Sequence, residues 1–119
     1  MQTVVETPQF IRAAKNSGMT QDEIDDLIML LADNPDSGVE MPGTGGFRKV
    51  RHAKTGKGKR GGYRAITFYS GINIPVFLID VFAKNERSDL SKSEQNALKA
   101  IGKEIVDTYK MMTVLRRVR

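Results

Sequence analysis

Residues 61–83 read GGYRAITFYSGINIPVFLIDVFA, and this stretch decides the fold. The Gly61-Gly62 pair precedes a strand predicted over Tyr63 to Tyr69, in which the alternate residues Arg64, Ile66 and Phe68 share one face. Ser70 to Asn73 turns the chain. Pro75 then opens a strand over Val76 to Ala83 that is apolar on both faces, interrupted only by Asp80, as befits a central strand. Two strands joined by so short a loop pair antiparallel. That pairing brings Arg64, near the start of the first, to the same end of the sheet as Lys84, at the end of the second.

Upstream, Pro42-Gly43-Thr44-Gly45-Gly46 has no periodicity and reads as a loop leading into a strand from Phe47 to Arg51. Thr3 to Glu6 is a further short strand. Thr7-Pro8 opens a helix whose apolar stripe is Phe10, Ile11 and Ala14, with Ala13 beside it. Proline suits this first turn, where its missing N–H would have no partner. Asn16-Ser17-Gly18 ends the helix. Thr20-x-x-Glu23 is a capping box, followed by Ile24, Leu27, Ile28 and Leu31 at helical spacing, so a second helix runs to about Ala32, before Asn34-Pro35. Asp22, Asp25, Asp26 and Asp33 lie on the outer face of this helical hairpin. Downstream, Ser91-x-x-Glu94 is another capping box, and Leu98, Ile101, Ile105, Tyr109 and Met112 fit a final amphipathic helix with a basic tail at 113–119. The order β-α-α-β-β-β-α describes an α+β fold, a small, mainly antiparallel sheet with the helices packed against it.

A length of 119 residues fits a single domain over 1–119. There is no cysteine, so neither a disulfide framework nor a thiolate metal site is possible, which suits a reducing cytoplasm. With methionine left aside, the longest aliphatic and aromatic run is Val76 to Ile79, against the ~20 apolar residues of a membrane helix, and the start lacks the layout of a signal peptide. A soluble, cytoplasmic protein without a membrane partner is expected.

The net charge of +5 conceals a strong division. Residues 1–46 carry two basic and eight acidic side chains, whereas 47–64 carry eight basic and none acidic. The basic group is Arg48, Lys49, Arg51, Lys54, Lys57, Lys59, Arg60 and Arg64, interleaved with glycines and with Phe47 and Tyr63. Such a run is either a solvated loop or a contact for a phosphate backbone, and its flanks decide between the two. With Lys84 at the same end of the sheet as Arg64, cations converge as phosphodiester chemistry requires, since charge builds on phosphate oxygens and on a leaving alkoxide. Lys84 could instead pair with Glu86 or Asp80.

Other motifs are rejected on physical grounds. Gly56-Lys57-Gly58-Lys59-Arg60-Gly61 has the letters of a dinucleotide fingerprint, but that motif needs a helix N-terminus after its glycines, and here a strand follows. No Gly-Lys pair precedes Ser or Thr, so there is no Walker-type loop. His52 is the one histidine, read as solvated, and no metal site or cofactor is expected.

The segments TVVETPQFIRAAK at 3–15, PGTGGFRK at 42–49, GKGKRGGYRAI at 56–66 and IPVFLIDVFAKNE at 74–86, with DLS at 89–91, resemble the RelE/ParE superfamily of type II toxin-antitoxin toxins over nearly the whole chain. The sequence is most similar to its RelE-like, HigB-type branch. The resemblance implies a sheet of the microbial-RNase type and an mRNA endonuclease acting in the ribosomal A site, in contact with ribosomal RNA. It also implies a cognate antitoxin, often with a helix-turn-helix domain, and metal-independent attack of a ribose 2′-OH on the adjacent phosphate. Arg64 and Lys84 fall at the family's basic positions on the two long strands, and Lys57 and Lys59 in the loop where relatives place lysines. Many relatives use a late tyrosine or histidine near the site, whereas Tyr109 here lies inside a predicted helix.

Roles follow from chemistry. Arg64, always protonated, stabilises charge. A lysine crowded by cations has a lowered pKa and could serve as base or acid, which leaves Lys57, Lys59 and Lys84 open for both. Arg48, Lys49, Arg51, Lys54 and Arg60 are expected to bind RNA, and Tyr63 and Phe82 either stack on bases or pack in the sheet. Two other readings stand beside this one: a ParE-like toxin that inhibits DNA gyrase, and a non-enzymatic RNA- or DNA-binding module.

Overall fold

In the computed structural model, which describes the backbone of residues 1–54, 58–83 and 91–118 and the side chains of 1–53, 62–83 and 91–110, the chain is built around β5 (Val76–Ala83). This strand is apolar on both faces and lies between β1 (Val4–Glu6) and β4 (Gly58–Phe68). Beyond β4 come β3 (Phe47–Lys54) and β2 (Val39–Glu40), giving the order β1-β5-β4-β3-β2. Only β1 pairs parallel, Val4 opposite Val76, and the other pairings are antiparallel. Ile66 faces Asp80 while Thr67 faces Leu78, so Ile79 is an extra residue, a bulge that resets the alternation. Its effect is that β5 supplies Ile79 and Phe82 to one face, and Leu78 and Val81 to the other.

The second face is covered by α1 (Pro8–Asn16) and α2 (Gln21–Asp33), which bury Phe10, Leu27 and Leu31 against Val50, Tyr63 and Leu78. One hydroxyl fixes the start of α1: Thr7 Oγ1 accepts the Phe10 N–H at 3.2 Å and donates to the Leu78 carbonyl at 2.8 Å. The same group therefore caps the helix and ties it to the central strand. The Thr20–Glu23 capping box is present in full. The α1 stripe is narrower than predicted, because Ile11 is 54% exposed and only Phe10 and Ala14 are buried. Helix α2 holds its aspartates outward as expected.

On the opposite face lies α3 (Lys92–Val118), whose start is fixed by the Ser91–Glu94 box. The helix continues through Val118, so Arg116 and Arg117 belong to its last turn. Ile101 and Tyr109, expected to face the core, are exposed, and the packing stripe is Leu98, Gly102, Ile105 and Val106. Gly102 is the point of closest approach. A methyl carbon placed there falls 2.8 Å from ring atoms of both Phe47 and Phe68, two buried rings whose centroids are 4.7 Å apart. Gly102→Ala gains about 1 kcal/mol of helix propensity, yet overpacking against two immobile rings costs about 1–3 kcal/mol. A net loss of stability is expected in urea denaturation, with weakened protection of α3 amides.

The sheet has one strand more than the sequence predicts. Strand β2 has two residues, too few for any periodicity, and is placed by Gly38, whose φ of +91° and approach to the Lys49 carbonyl exclude a side chain. Strand β3 also runs on to Lys54 and β4 begins at Gly58, so the basic run forms the two arms of a long hairpin instead of a loop. Residues 55–57 lie outside the described residues, as does Lys84. No helix among the described residues is long and apolar enough to cross a membrane.

Candidate nucleic-acid interface

The pleat of β3 divides its cations. Lys49 and Arg51 share a face with Phe47, while Arg48, Val50 and His52 point to the other. Arg51 is directly opposite Arg64 of β4, and Lys49 is opposite Ile66. Helix α3 covers this face only where Phe47, Ile66 and Phe68 form the core. Toward the hairpin the face is open, and there Lys49, Arg51 and Arg64 line, with Met41, Pro42 and Gln95, part of a groove of about 780 Å³ whose lining also takes in Leu30 and Val50 of the other face. In the strand register Arg64 stands opposite the buried Phe82 of β5. The Arg64 guanidinium also donates to the Tyr63 carbonyl at 3.4 Å.

Two guanidinium groups directly opposite on one sheet face repel each other, which a structure selected only for stability would avoid. Arg51→Thr keeps a strand-forming residue and removes the repulsion. It is expected to raise stability by about 0.2–1 kcal/mol, toward the lower end because both groups reach solvent. The gain, read in thermal melts, shrinks as salt is added.

Several predicted contacts lie elsewhere. Arg48 is turned away from the groove, its guanidinium donating to the Asp36 carbonyl at 3.2 Å and standing 4.0 Å from Glu40, its neighbour on β2. It pins the edge strand and does not converge with Lys49 and Arg51. Tyr63 is fully buried among the residues under α1 and α2, and Phe82 is buried under α3, so neither presents a ring for stacking on a base. The Tyr63 hydroxyl donates to Glu23 Oε1 at 3.3 Å, and the same oxygen accepts the Thr20 N–H at 2.9 Å. Burial, then the charge of Glu23 and this hydrogen bond, raise the Tyr63 pKa above its ordinary value. His52 is half-buried on the face away from Arg51. Lys54, Lys59 and Arg60 stand on the hairpin arms with side chains outside the described residues, and Lys57 and Lys84 lie outside them altogether.

Gln95 was not anticipated. It lies three residues before Leu98 on the sheet-facing stripe of α3, and a polar residue continuing an apolar stripe is the one signal that points to it. Among the described residues no group of three or more histidine, aspartate or glutamate side chains is placed to hold a metal ion. A family model described as RelE toxin of RelE / RelB toxin-antitoxin system matches residues 2–117.

Proposed function

The chain belongs to the RelE toxin family of toxin-antitoxin systems, and from that premise and its cationic groove we propose that it is an endoribonuclease cleaving messenger RNA in the A site of the bacterial ribosome. The observation that carries this reading is the convergence of Lys49, Arg51 and Arg64 on the uncovered part of one sheet face. Three cations in a concave, partly apolar site suit a bound phosphodiester better than a solvated charge run does.

The reaction needs no metal. The ribose O2′ forms a bond to the adjacent phosphorus as the P–O5′ bond breaks, leaving a 2′,3′-cyclic phosphate and a 5′-hydroxyl. A base takes the 2′-OH proton and an acid supplies one to O5′. Arg64 stabilises the charge that gathers on the non-bridging oxygens, and Lys49 and Arg51 hold the neighbouring phosphates. Lys57, Lys59 and Lys84 are the proposed proton carriers, and Lys54 and Arg60 extend the contact along the hairpin to the RNA. Family membership implies an antitoxin partner. We take it to carry a helix-turn-helix domain, and the ribosomal substrate places the toxin's action in the cytoplasm.

The test is induction in bacteria with mapping of mRNA 5′ ends, beside an Arg64→Ala, Lys84→Ala variant. Codon-phased cleavage that disappears in the variant supports the proposal. Growth arrest with intact mRNA and damaged DNA would overturn it in favour of gyrase inhibition.

A further inference from the structure

Helix α3 carries two lines of side chains that matter for packing. The first is Leu98, Gly102, Ile105 and Val106, set against the sheet. About a quarter turn away, Ala97, Ile101, Glu104 and Thr108 follow at i, i+4, i+7 and i+11, a spacing that gives them a common face. This second line runs beside β5 and bounds two adjoining grooves of about 430 and 310 Å³. Ile101 lines both and is 44% exposed. Ile79 and Asp80 of β5 line the first, and Phe77 the second. The charged side chains along the two are Asp80, Glu94 and Glu104, and among the described residues no lysine or arginine lines either. An apolar furrow edged by carboxylates repels a phosphate backbone and favours an apolar segment that carries cations.

Such a segment ends this chain. Residues 108–119 read TYKMMTVLRRVR, with Met111, Met112, Val114, Leu115 and Val118 among Lys110, Arg116, Arg117 and Arg119, and with no acidic residue. The backbone stays helical to Val118, and the positions that continue the second line after Thr108 are Met112 and Leu115. The side chains from Met111 onward lie outside the described residues, so their chemistry is taken from the sequence alone. Among the described residues the last α3 side chain packed on the sheet cluster is Val106. A helical end that buried nothing would be marginal in water, so these last turns gain most from a partner.

We propose that the groove beside α3 receives the C-terminal end of α3 from a second copy of this chain, the two copies exchanging the same contact about a twofold axis. With the two helices antiparallel, each basic end approaches the other copy's Asp80 and Glu104, and Ile101 is covered. Because each copy gives and receives the same segment, the contact closes as a dimer. These grooves share no lining residue with the cationic groove, so the inference stands apart from the nuclease reading.

The test is sedimentation equilibrium of the purified full chain, with circular dichroism and thermal melts confirming that each variant is folded. The wild type is expected to dimerise with a Kd of about 10 μM or below at low salt, and more weakly as salt is added. Ile101→Lys, at an exposed position, should weaken the dimer at least about tenfold, as should Glu104→Lys alone and Arg116→Glu with Arg119→Glu, since each sets like charges against each other. Mixing the Glu104→Lys chain with the Arg116→Glu, Arg119→Glu chain restores opposite charges in both halves of the interface. The mixed dimer should therefore be at least about fivefold tighter than either variant with itself. A wild type that stays monomeric to about 100 μM, a dimer that none of these changes weakens, or two charge variants that fail to associate when mixed each overturns the inference. So does a monomer that loses its cognate antitoxin on Ile101→Lys, which gives the groove to that partner. A monomer whose Arg116→Glu, Arg119→Glu variant loses affinity for ribosomes gives the basic end to RNA and overturns it as well.

Discussion

Arg64→Ala is expected to lower mRNA cleavage by about 10²–10³-fold while leaving the protein folded. The size of the effect follows from what is lost. On the proposed mechanism the transition state gathers negative charge that the ground state lacks, and the Arg64 guanidinium stabilises that charge. The loss should appear in the single-turnover rate, with substrate affinity changed far less because Lys49 and Arg51 still hold the backbone. Arg64→Lys keeps the charge but not the planar fork, and an intermediate rate is expected. Stability should not fall, since the side chain gives up only a 3.4 Å hydrogen bond to the Tyr63 carbonyl and is relieved of the opposing Arg51. Primer extension on ribosome-bound mRNA and a thermal melt read the two quantities. An Arg64→Ala protein that cleaves at the wild-type rate would remove this residue from the mechanism.

The reading of 61–83 in the sequence carried most of the fold because its two signals are local. Apolar residues on both faces of β5 require neighbours on both sides, and the short turn at 70–73 makes one of them antiparallel. The capping boxes at Thr20 and Ser91 are equally local and form as predicted. What sequence could not supply is which face of each strand remains uncovered. Tyr63 and Arg64 are adjacent in a basic stretch, yet the pleat sends one into the core and the other into the groove. The same pleat separates Arg48 from Lys49 and Arg51, so a run of cations that looks continuous is divided between two faces. Coverage by α3 is set by Gly102, and a glycine in an apolar stripe reads as a gap until the rings of Phe47 and Phe68 are seen to fill it. Gln95 was hidden for a related reason: its place in the groove depends on the open end of the sheet beneath it. The roles given to Lys57, Lys59 and Lys84 fall outside the described residues and rest on chemistry and family likeness alone.

Tyr63 gives the complementary test, because its burial predicts large effects on stability and none on catalysis beyond it. Tyr63→Ala removes a fully buried ring from beneath α1 and α2, and a loss of about 3–5 kcal/mol is expected for truncating a large aromatic side chain in a packed core. Against the ~5–15 kcal/mol that keeps a domain folded, that is a large share. Tyr63→Phe keeps the ring and deletes the hydroxyl that donates to Glu23 Oε1. Its cost is about 1–3 kcal/mol, since the buried carboxylate oxygen keeps only the Thr20 N–H of those two donors. Urea denaturation measures both. The pH dependence provides an independent check. Burial and the neighbouring Glu23 carboxylate raise the folded-state pKa of Tyr63 above the 10.0 expected of an unfolded chain, so above that pH the unfolded state gives up its proton first. The native state then binds more protons than the unfolded one, and stability must decline as the pH rises beyond 10. Tyr63→Phe, having no proton to lose, should lack this part of the alkaline decline. If the tyrosine instead stacked on RNA, the phenylalanine variant would keep wild-type stability and its alkaline profile, and the alanine variant would stay folded and lose affinity for RNA.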